Sequence, residues 1–478
     1  MSRFARLLGL AFVACASPDK RTTDTSGTNP PPPTVNGHDW ATFNVDAGRS
    51  GAFDSTTGIT ATNVATMQRQ QVPIDGTVDA SAIYLHNVQL NGTAHDAFFV
   101  TTTYGKTIAI DANAGTILWE FTPSSYSQLA GSARITTVTP VADPDRTAIY
   151  TASPDGSIEK LSVADGHALW TTSITTLATR EKIASSLTFA AGHIIAVTGG
   201  YIGDAPSYQG HVSVLNASNG QLLHTWNSLC SNRAGLIDPS SCVQSGSAIW
   251  GRSGAVVDAS GNIYVATGNG LWDGATNWGD AVIKLDALAT NMLANYTPTN
   301  TANLDSGDID VGSTSPVLLD ATHVAQGGKD GTIRVLDMQA LAGTAAHKGG
   351  ESQTVGTPSG RQLFTAPAVW HQGTTTWLFA ADGGATAAWT YSAGHLTAAW
   401  SNTRAGTSPV VAGGLLFVYD PGGTVRVYDP TTGREIADLT SGSGHWNSPI
   451  VADGRIALPE GSANSHATSG VFNIWRLP

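Results

Sequence analysis

The chain has 478 residues, of which 41% are hydrophobic and only 13% are charged, and its formal net charge is −12. That length allows one large all-β domain or two to three ordinary domains. The charge pattern contains no clustered basic run, which excludes a nucleic-acid phosphate backbone as partner. The 53 glycines, with abundant threonine and serine, favour short strands and many turns over long amphipathic helices.

Residues 1–15 have the pattern of an export signal. Two arginines precede an apolar run from Leu7 to Ala14, which is too short to span a bilayer. The tetrapeptide that ends at Cys15 resembles a bacterial lipobox, with Phe12 where leucine is usual, and the resemblance implies lipidation of Cys15. Ordinary secretion is the alternative. Both predict a periplasmic or cell-surface protein that meets a membrane only through a lipid anchor.

Residues 16–37 are polar and contain four consecutive prolines, so we expect a disordered tether before a domain at 38–478. If Cys15 carries a lipid, Cys230 and Cys242 remain of the three cysteines, and they can close a small loop in an oxidising compartment. Two unpaired thiols are the alternative.

Beyond the tether, one pattern recurs along the chain. A short apolar strand is followed by a second strand near an aspartate, a small-residue and glycine turn, and an apolar or tryptophan residue. The copies begin at Gly105, Gly156, Gly210, Asp280, Gly331, Gly384 and Gly423, with a truncated copy at Gly470. Repeats of strands at this period predict a β-propeller, with one four-stranded blade for each copy.

Eight copies predict an all-β, eight-bladed propeller. The last copy stops before its outer strand, so we expect the segment from about Trp40 to Val72 to complete that blade. The amino- and carboxy-terminal segments would then close the ring and leave no open sheet edge.

The turn "AIDANAGTILW", with Asp111, Gly115 and Trp119, resembles the tryptophan-docking motif of the pyrroloquinoline quinone (PQQ) propellers. The segment 39–64 also looks like the start of that superfamily, and a second turn keeps Asp429 and Gly433 but lacks the tryptophan. The resemblance covers about 440 residues and implies the fold; its repeat motifs do not specify an activity.

Resemblance to the PQQ-dependent alcohol dehydrogenases of this superfamily also implies a site. Trp250, which precedes the strand 263–267 and its Gly-Asn-Gly ending, matches the residue that stacks on the quinone. Asn269 of that ending matches a metal-binding amide. Alternatively, Trp250 packs between blades, and Asn269-Gly270 forms an ordinary hairpin turn.

Four charged residues complete the implied site. Asp308 and Asp310 reproduce an Asp-x-Asp spacing of lanthanide-type members, in which Asp308 would be the catalytic base and metal ligand and Asp310 an extra oxygen ligand. Lys329 would reach the quinone oxygens, and Asp204 stands nearest the place of the family's metal-binding glutamate. Carboxylates and an amide suit a calcium or lanthanide ion. Capped turns, a structural calcium site and a solvated lysine are the alternative interpretations.

The chain departs from the family in two respects. It has no adjacent cysteines to cover the quinone and no Cys-x-x-Cys-His haem motif, so electrons would leave through a separate carrier. Two hypotheses follow. The first is an exported quinoprotein that oxidises an alcohol or polyol with PQQ and a calcium or lanthanide ion. The second is a non-catalytic lipoprotein propeller, similar to the outer-membrane barrel assembly propeller, with a protein partner at one face.

Overall fold

The computed structural model describes residues 38–201 and 204–478. These residues form eight four-stranded blades around a central axis, one of which gains a short fifth strand, so the predicted eight-bladed, all-β propeller is confirmed. The predicted lipidation of Cys15 and the predicted tether at 16–37 concern residues outside the described ranges. A two-stranded ladder, Glu181–Lys182 with Gly199–Gly200, adds to blade 3.

The blades are numbered in chain order. Blades 1 to 4 comprise the strands Ile83–Leu90, Thr93–Thr101, Thr107–Asp111 and Ile117–Phe121; Val141–Ala142, Ala148–Ala152, Ser157–Ser162 and Ala168–Ser173; Thr188–Ala190, His193–Val197, His211–Asn216 and Leu222–Asn227; and Val256–Val257, Ile263–Ala266, Val282–Leu285 and Met292–Tyr296.

Blades 5 to 8 comprise the strands Val317–Leu318, His323–Gln326, Thr332–Asp337 and Gln353–Gly356; Ala368–Gln372, Thr375–Ala381, Thr386–Ser392 and His395–Asn402; Val410–Ala412, Leu415–Asp420, Thr424–Tyr428 and Glu435–Thr440; and Ile450–Ala452, Arg455–Glu460, Gly470–Arg476 and Gln68–Ile74.

Helices are few and short. The α-helices are Tyr126–Leu129 and Thr301–Ser306, and the 3-10 turns are Val64–Thr66, Pro239–Ser241, Val311–Ser313 and Ala463–Ser465. Within the described ranges, we find no helix with the length and apolar character needed to cross a membrane.

The ring closes at blade 8 in the predicted manner. Gln68–Ile74 runs antiparallel to Gly470–Arg476 and supplies the missing outer strand. The earlier part of the segment from Trp40 to Val72 does not join blade 8. Its residues Ala52–Phe53 pair in parallel with the first strand of blade 7. The interface between blades 8 and 1 is therefore the seam of the ring.

The strands of each blade run between the two faces of the ring. The lower face carries the turns between strands one and two and between strands three and four. The upper face carries the turns between strands two and three and the connections to the next blade. Residues 40–53, here called the plug, cross the lower end of the axis and bond through the backbone to the inner strands at Tyr84, Ala142, Val257, Val369 and Val411.

Arg49 fixes the middle of the plug. Its buried guanidinium donates to Leu187 O at 2.8 Å and to Thr188 Oγ1 at 2.5 Å, both at the start of blade 3. It also donates to Thr42 Oγ1 and Phe43 O within the plug. Because the plug covers the lower end of the axis, a ligand can approach the centre of the ring from the upper face.

Tryptophans join neighbouring blades as their spacing predicts. Trp119 of blade 1 lies on Gly166 of blade 2, where a Cβ would stand 2.5 Å from the indole, and its Nε1 donates to Val163 O at 2.9 Å. Gly166 has φ +75°, a conformation that favours glycine. The same contact joins Trp170 to Gly220 and Trp400 to Gly433.

Candidate functional site

The upper face brings together the residues that the sequence singles out. Trp250 lies in the connection from blade 3 to blade 4, and Asp308 and Asp310 lie in the next connection. Asn269 and Lys329 follow the second strands of blades 4 and 5. Because the strands of a blade are antiparallel, the turn after the second strand and the connection to the next blade lie at the same end of the sheet. These separate stretches therefore meet above the axis.

Lys329 binds both predicted carboxylates. Its Nζ lies 2.6 Å from Asp310 Oδ2 and 3.1 Å from Asp308 Oδ1. Burial opposes the charge on the lysine, but Asp310 and then Asp308 outweigh it and raise the pKa of Lys329. The side chain of Asp310 is 4% exposed and that of Asp308 64% exposed. Asp310 is thus a buried anchor, whereas Asp308 presents its carboxylate to incoming molecules.

Asp310 is held from a second side. Its Oδ1 accepts the backbone N–H of Asn269 at 2.7 Å. Burial raises the pKa of Asp310 in spite of the neighbouring ammonium of Lys329. Asn269 therefore reaches the cluster through its backbone, and its side-chain amide makes no hydrogen bond to a described residue.

Asp204 lies near the same cluster, at the mouth of the site. The pKa of its carboxyl is raised by partial burial and then by the negative charges of Asp310 and Asp308. Within 38–201 and 204–478, these three carboxylates do not bring one ligand atom each within 4.8 Å of one another. They share an electrostatic environment without forming a preassembled cage.

Trp250 forms a flat wall beside this cluster. A Cβ at Gly199 would stand 2.9 Å from its indole, and one at Gly268 would stand 2.8 Å from Nε1 and 2.6 Å from Asp310 Oδ1. The glycines therefore let backbone approach the ring closely. The buried Nε1 of Trp250 has no hydrogen-bond partner among the described residues, which is costly unless a ligand supplies an acceptor.

Sequence reasoning missed Lys182. It pairs with Gly199 across the small ladder of blade 3, and residues directly opposite in a ladder project to the same side. Because a Cβ on Gly199 would point at Trp250, the side chain of Lys182 also projects toward that wall. Burial, and then the charge of Arg252, lowers the pKa of Lys182 to about 8. Its ammonium makes no hydrogen bond to another described residue.

Arg252 is a second buried cation that the sequence did not reveal. Its guanidinium lies 4.1 Å from the ring centroid of Trp446 and makes one long hydrogen bond, 3.5 Å, to Asp79 O. Burial lowers the pKa of Arg252 to about 10. The Asp79 carboxylate is already occupied, since it accepts from His445 Nδ1 at 2.8 Å and from the backbone N–H of Trp446 and Ala463.

An open cleft continues from the cluster toward blade 6. Its volume is about 490 Å³, and Ile309, Lys329, Arg361 and Phe364 are among its lining residues. Phe364 lies 5.7 Å from Trp446 between ring centroids. The upper face thus offers aromatic surfaces, cations and an exposed carboxylate around one space.

The two remaining cysteines are joined. A disulfide links Cys230 and Cys242, with their Cα atoms 6.1 Å apart, in the connection that leads to Trp250. Gln209 Nε2 lies 3.8 Å from Cys242 Sγ, and Gln209 Oε1 accepts a hydrogen bond from the backbone N–H of Leu229. The bridge braces the long loop that carries the aromatic wall.

Comparisons with known proteins agree with the architecture. Residues 46–279 match the family described as outer membrane protein assembly factor BamB. No curated protein matches the chain.

Solved structures show the fold over most of the chain. Quinohemoprotein alcohol dehydrogenase from Comamonas testosteroni is 16% identical, with a TM-score of 0.68 over 92% of this chain and 81% of its own. A europium-containing methanol dehydrogenase is 15% identical, with a TM-score of 0.68 over 92% and 98%.

BamB from Moraxella catarrhalis is 13% identical, with a TM-score of 0.53 over 86% of this chain and 98% of its own. Its likeness and those of the dehydrogenases are likenesses of fold. Taken with the eight tandem blades, they show that this chain shares the β-propeller fold of these proteins, and the family match over residues 46–279 covers just under half of the chain.

Proposed function

We propose that this protein is an exported quinoprotein dehydrogenase that oxidises an alcohol or polyol with PQQ and a calcium or lanthanide ion. The observation that carries the proposal is the convergence of Trp250, Asp308, Asp310 and Lys329 at the upper end of a plugged axis. Blade packing alone gives no reason to bury Asp310 and Lys329 beside an unpaired indole N–H.

The aromatic wall and the unpaired cations fit a flat, anionic cofactor. Trp250 offers its face and an unsatisfied donor. Lys182 and Arg252 carry positive charges that no carboxylate contacts directly in the described ranges. PQQ is a tricyclic acid, so its ring would lie on Trp250 and its carboxylates would face these two cations.

The carboxylates fit a hard cation. The ammonium of Lys329 already lies within 3.1 Å of one carboxylate and 2.6 Å of another, so a positive charge is stabilised at this place. Asp308 and Asp310 would hold the ion, with Asp204 and the amide of Asn269 as further oxygen ligands. Lys329 would then turn toward the quinone oxygens.

PQQ held on Trp250 would supply a hydride acceptor for the alcohol carbon, and a cation held by Asp308 and Asp310 would supply a Lewis acid. The chain supplies the proton acceptor, for which Asp308 is suited because its carboxylate is exposed in the cleft. Before the ion binds, Lys329 holds Asp308 in place through hydrogen bonds to its carboxylate and its backbone carbonyl. Asp310 is buried and accepts a hydrogen bond from the backbone N–H of Asn269, so it holds the Lys329 ammonium near Asp308.

Export agrees with the disulfide between Cys230 and Cys242, since such bridges persist in oxidising compartments. We include lipidation of Cys15 in the proposal. Electrons would pass to a separate carrier at the upper face.

A scaffold role is the second candidate, because the family match over 46–279 carries the BamB description. Under that alternative, a protein segment docks on the upper face and no cofactor binds. The two candidates differ in whether the indole and cations around Trp250 receive a small molecule.

Reconstitution distinguishes them. The purified chain is titrated with PQQ in the presence of Ca²⁺ or La³⁺, binding is followed by quenching of tryptophan fluorescence, and dye-linked oxidation of alcohols and polyols is measured. We expect saturable binding and turnover with at least one alcohol. Absence of quinone binding with either ion refutes the dehydrogenase proposal and favours the scaffold.

Two acid variants test the proton acceptor. Asp308→Asn removes the basic oxygen while preserving size, so turnover should fall by roughly 100-fold or more with PQQ affinity retained. Asp305→Asn, on the nearby helix Thr301–Ser306, is the matched control and should keep full activity. Equal turnover of the two variants would reject Asp308 as the base.

A further inference from the structure

A cluster of metal-ligating side chains lies on the lower face, away from the cleft. His38 precedes the plug, His86 is in blade 1, and Asp453 is in the first turn of blade 8. One ligand atom of each lies within 4.8 Å of the other two. The cluster joins three parts of the chain at the seam of the ring.

The distances are close to those of a tetrahedral metal site. His38 Nδ1 lies 2.7 Å from Asp453 Oδ1, and His86 Nδ1 lies 3.1 Å from Asp453 Oδ2 and 2.9 Å from Asp96 Oδ1. Tetrahedral ligands at Zn²⁺ bond lengths are separated from one another by about 3.3 Å. Shifts of a few tenths of an ångström would therefore open these contacts around an ion.

His86 supplies an independent observation. Its Nδ1 is buried and makes no hydrogen bond of acceptable direction to a described residue, although two carboxylate oxygens lie within 3.1 Å. A nitrogen that lies near two anionic oxygens without bonding to either is unsatisfied as a simple ion pair. A cation placed among these atoms would satisfy it.

The neighbours hold the carboxylates in place. Tyr84 Oη donates to Asp453 Oδ2 at 2.9 Å, and Arg455 Nη2 lies 3.0 Å from Asp96 Oδ2. Such outer contacts orient carboxylate ligands. They also leave Asp453 Oδ1 and Asp96 Oδ1 directed toward the histidines.

We propose that His38, His86 and Asp453 form a binding site for a zinc-class divalent cation that clamps the ring seam. Two imidazoles with carboxylates suit Zn²⁺ better than Ca²⁺ or a lanthanide, which prefer oxygen donors throughout. The ion would tie the start of the plug to blades 8 and 1, so it stabilises the closed ring. The site is separate from the proposed quinone site, on the opposite face.

Calorimetric titration of the full chain, first stripped with EDTA, tests the site. We expect one Zn²⁺ per chain with a dissociation constant in the micromolar range or tighter, a higher melting temperature with Zn²⁺, and no such response to Ca²⁺. Co²⁺ as a spectroscopic probe should give the visible absorption of a tetrahedral complex. A wild-type chain that takes up no stoichiometric Zn²⁺ overturns the proposal.

Three variants locate the ion. His38→Ala and His86→Ala should each weaken Zn²⁺ binding at least 10-fold and abolish the Co²⁺ spectrum. His167→Ala is the matched control, because His167 also lies against an aspartate, Asp165, at 2.6 Å but has no second imidazole beside it. If Zn²⁺ affinity is the same in all three variants, the ion binds elsewhere and the assignment is wrong.

Discussion

The contact between tryptophan and glycine that links the blades predicts a difference between two glycine substitutions. Gly166 and Gly192 both have positive φ, +75° and +79°. Alanine at either position costs about 1–2 kcal/mol because an L residue is strained there. The surroundings differ, since nothing lies within 4 Å of a Cβ at Gly192, whereas the Trp119 indole lies 2.5 Å from one at Gly166.

The additional cost at Gly166 follows from that clash. The indole must move by about 1 Å to restore an ordinary contact, and overpacking of this size costs about 1–3 kcal/mol. The movement also strains the bond from Trp119 Nε1 to Val163 O, worth about 0.5–1.5 kcal/mol. We therefore expect Gly166→Ala to destabilise the chain by about 2–4 kcal/mol more than Gly192→Ala does.

Urea unfolding of the two variants measures this difference, with circular dichroism as the probe. A double-mutant cycle with Trp119→Leu isolates the contact, because without the indole the cost of Gly166→Ala should approach that of Gly192→Ala. Equal stabilities of the two single variants, or an unchanged cost without the indole, would refute the blade-docking explanation.

Three further outcomes are expected. Lys182→Met should weaken the binding of PQQ. The affinity of the wild-type chain for PQQ should fall as the pH rises through about 8, where the pKa of Lys182 lies. An affinity that does not change with pH would contradict a role of the Lys182 ammonium in binding. Burial raises the pKa of Asp280 to about 8, so the folded chain holds a proton that the unfolded chain loses above about pH 4. The free energy of unfolding should therefore decline as the pH rises from about 4 to about 8. In urea unfolding at a series of pH values, Asp280→Asn should make this decline smaller. An equal decline in the variant and the wild type would contradict the assignment to Asp280. Replacing Cys230 and Cys242 by serine should lower the free energy of unfolding by about 2–3 kcal/mol, as calorimetry under matched buffers would show, and no loss would mean that the bridge is not formed.

The fold was predictable because its signals repeat. Five blades follow their third strand with a turn that holds a positive-φ glycine, at Gly115, Gly166, Gly220, Gly394 and Gly433, so an error at one copy does not change the count. At the seam, Gln70 takes the place of the missing tryptophan, packing on Gly115 and donating to Ala114 O at 2.8 Å. The truncated last copy at Gly470 indicated the place of closure, and the partner strand proved to be Gln68–Ile74.

The plug was not predictable from the repeat, because residues 40–53 carry no strand periodicity. Their structure depends on backbone bonds to the inner strands of many blades and on one buried cation, Arg49, whose partners at 187 and 188 are distant in sequence. Only the assembled ring shows that this segment fills the lower end of the axis.

The site was predictable in part. Trp250, Asp310 and Lys329 stand in local motifs, and the structure brings them together. Lys182 and Arg252 have no motif, because their significance comes from a two-residue ladder and from the ring of Trp446. Asn269 was expected to contribute its amide, and in this structure its backbone N–H meets Asp310 instead. The roles in cofactor binding, metal binding and catalysis stay predictions for all the site residues, namely Trp250, Lys329, Asn269, Asp308, Asp310 and Asp204.

Fold likeness alone does not separate a dehydrogenase from an assembly scaffold, since proteins of both kinds are similar in fold to this chain. The energetic cost of burying charged groups in the upper face distinguishes the two. Burial works against the charged forms of Lys182 and Arg252, and an apolar residue at either position would make the chain more stable if the face served only to pack. A bound anionic ring and its cation would offset these costs by pairing the charges and the indole N–H of Trp250. A protein segment docked on the rim would leave the centre unpaired, so the placement of the charges near the axis favours a small ligand there.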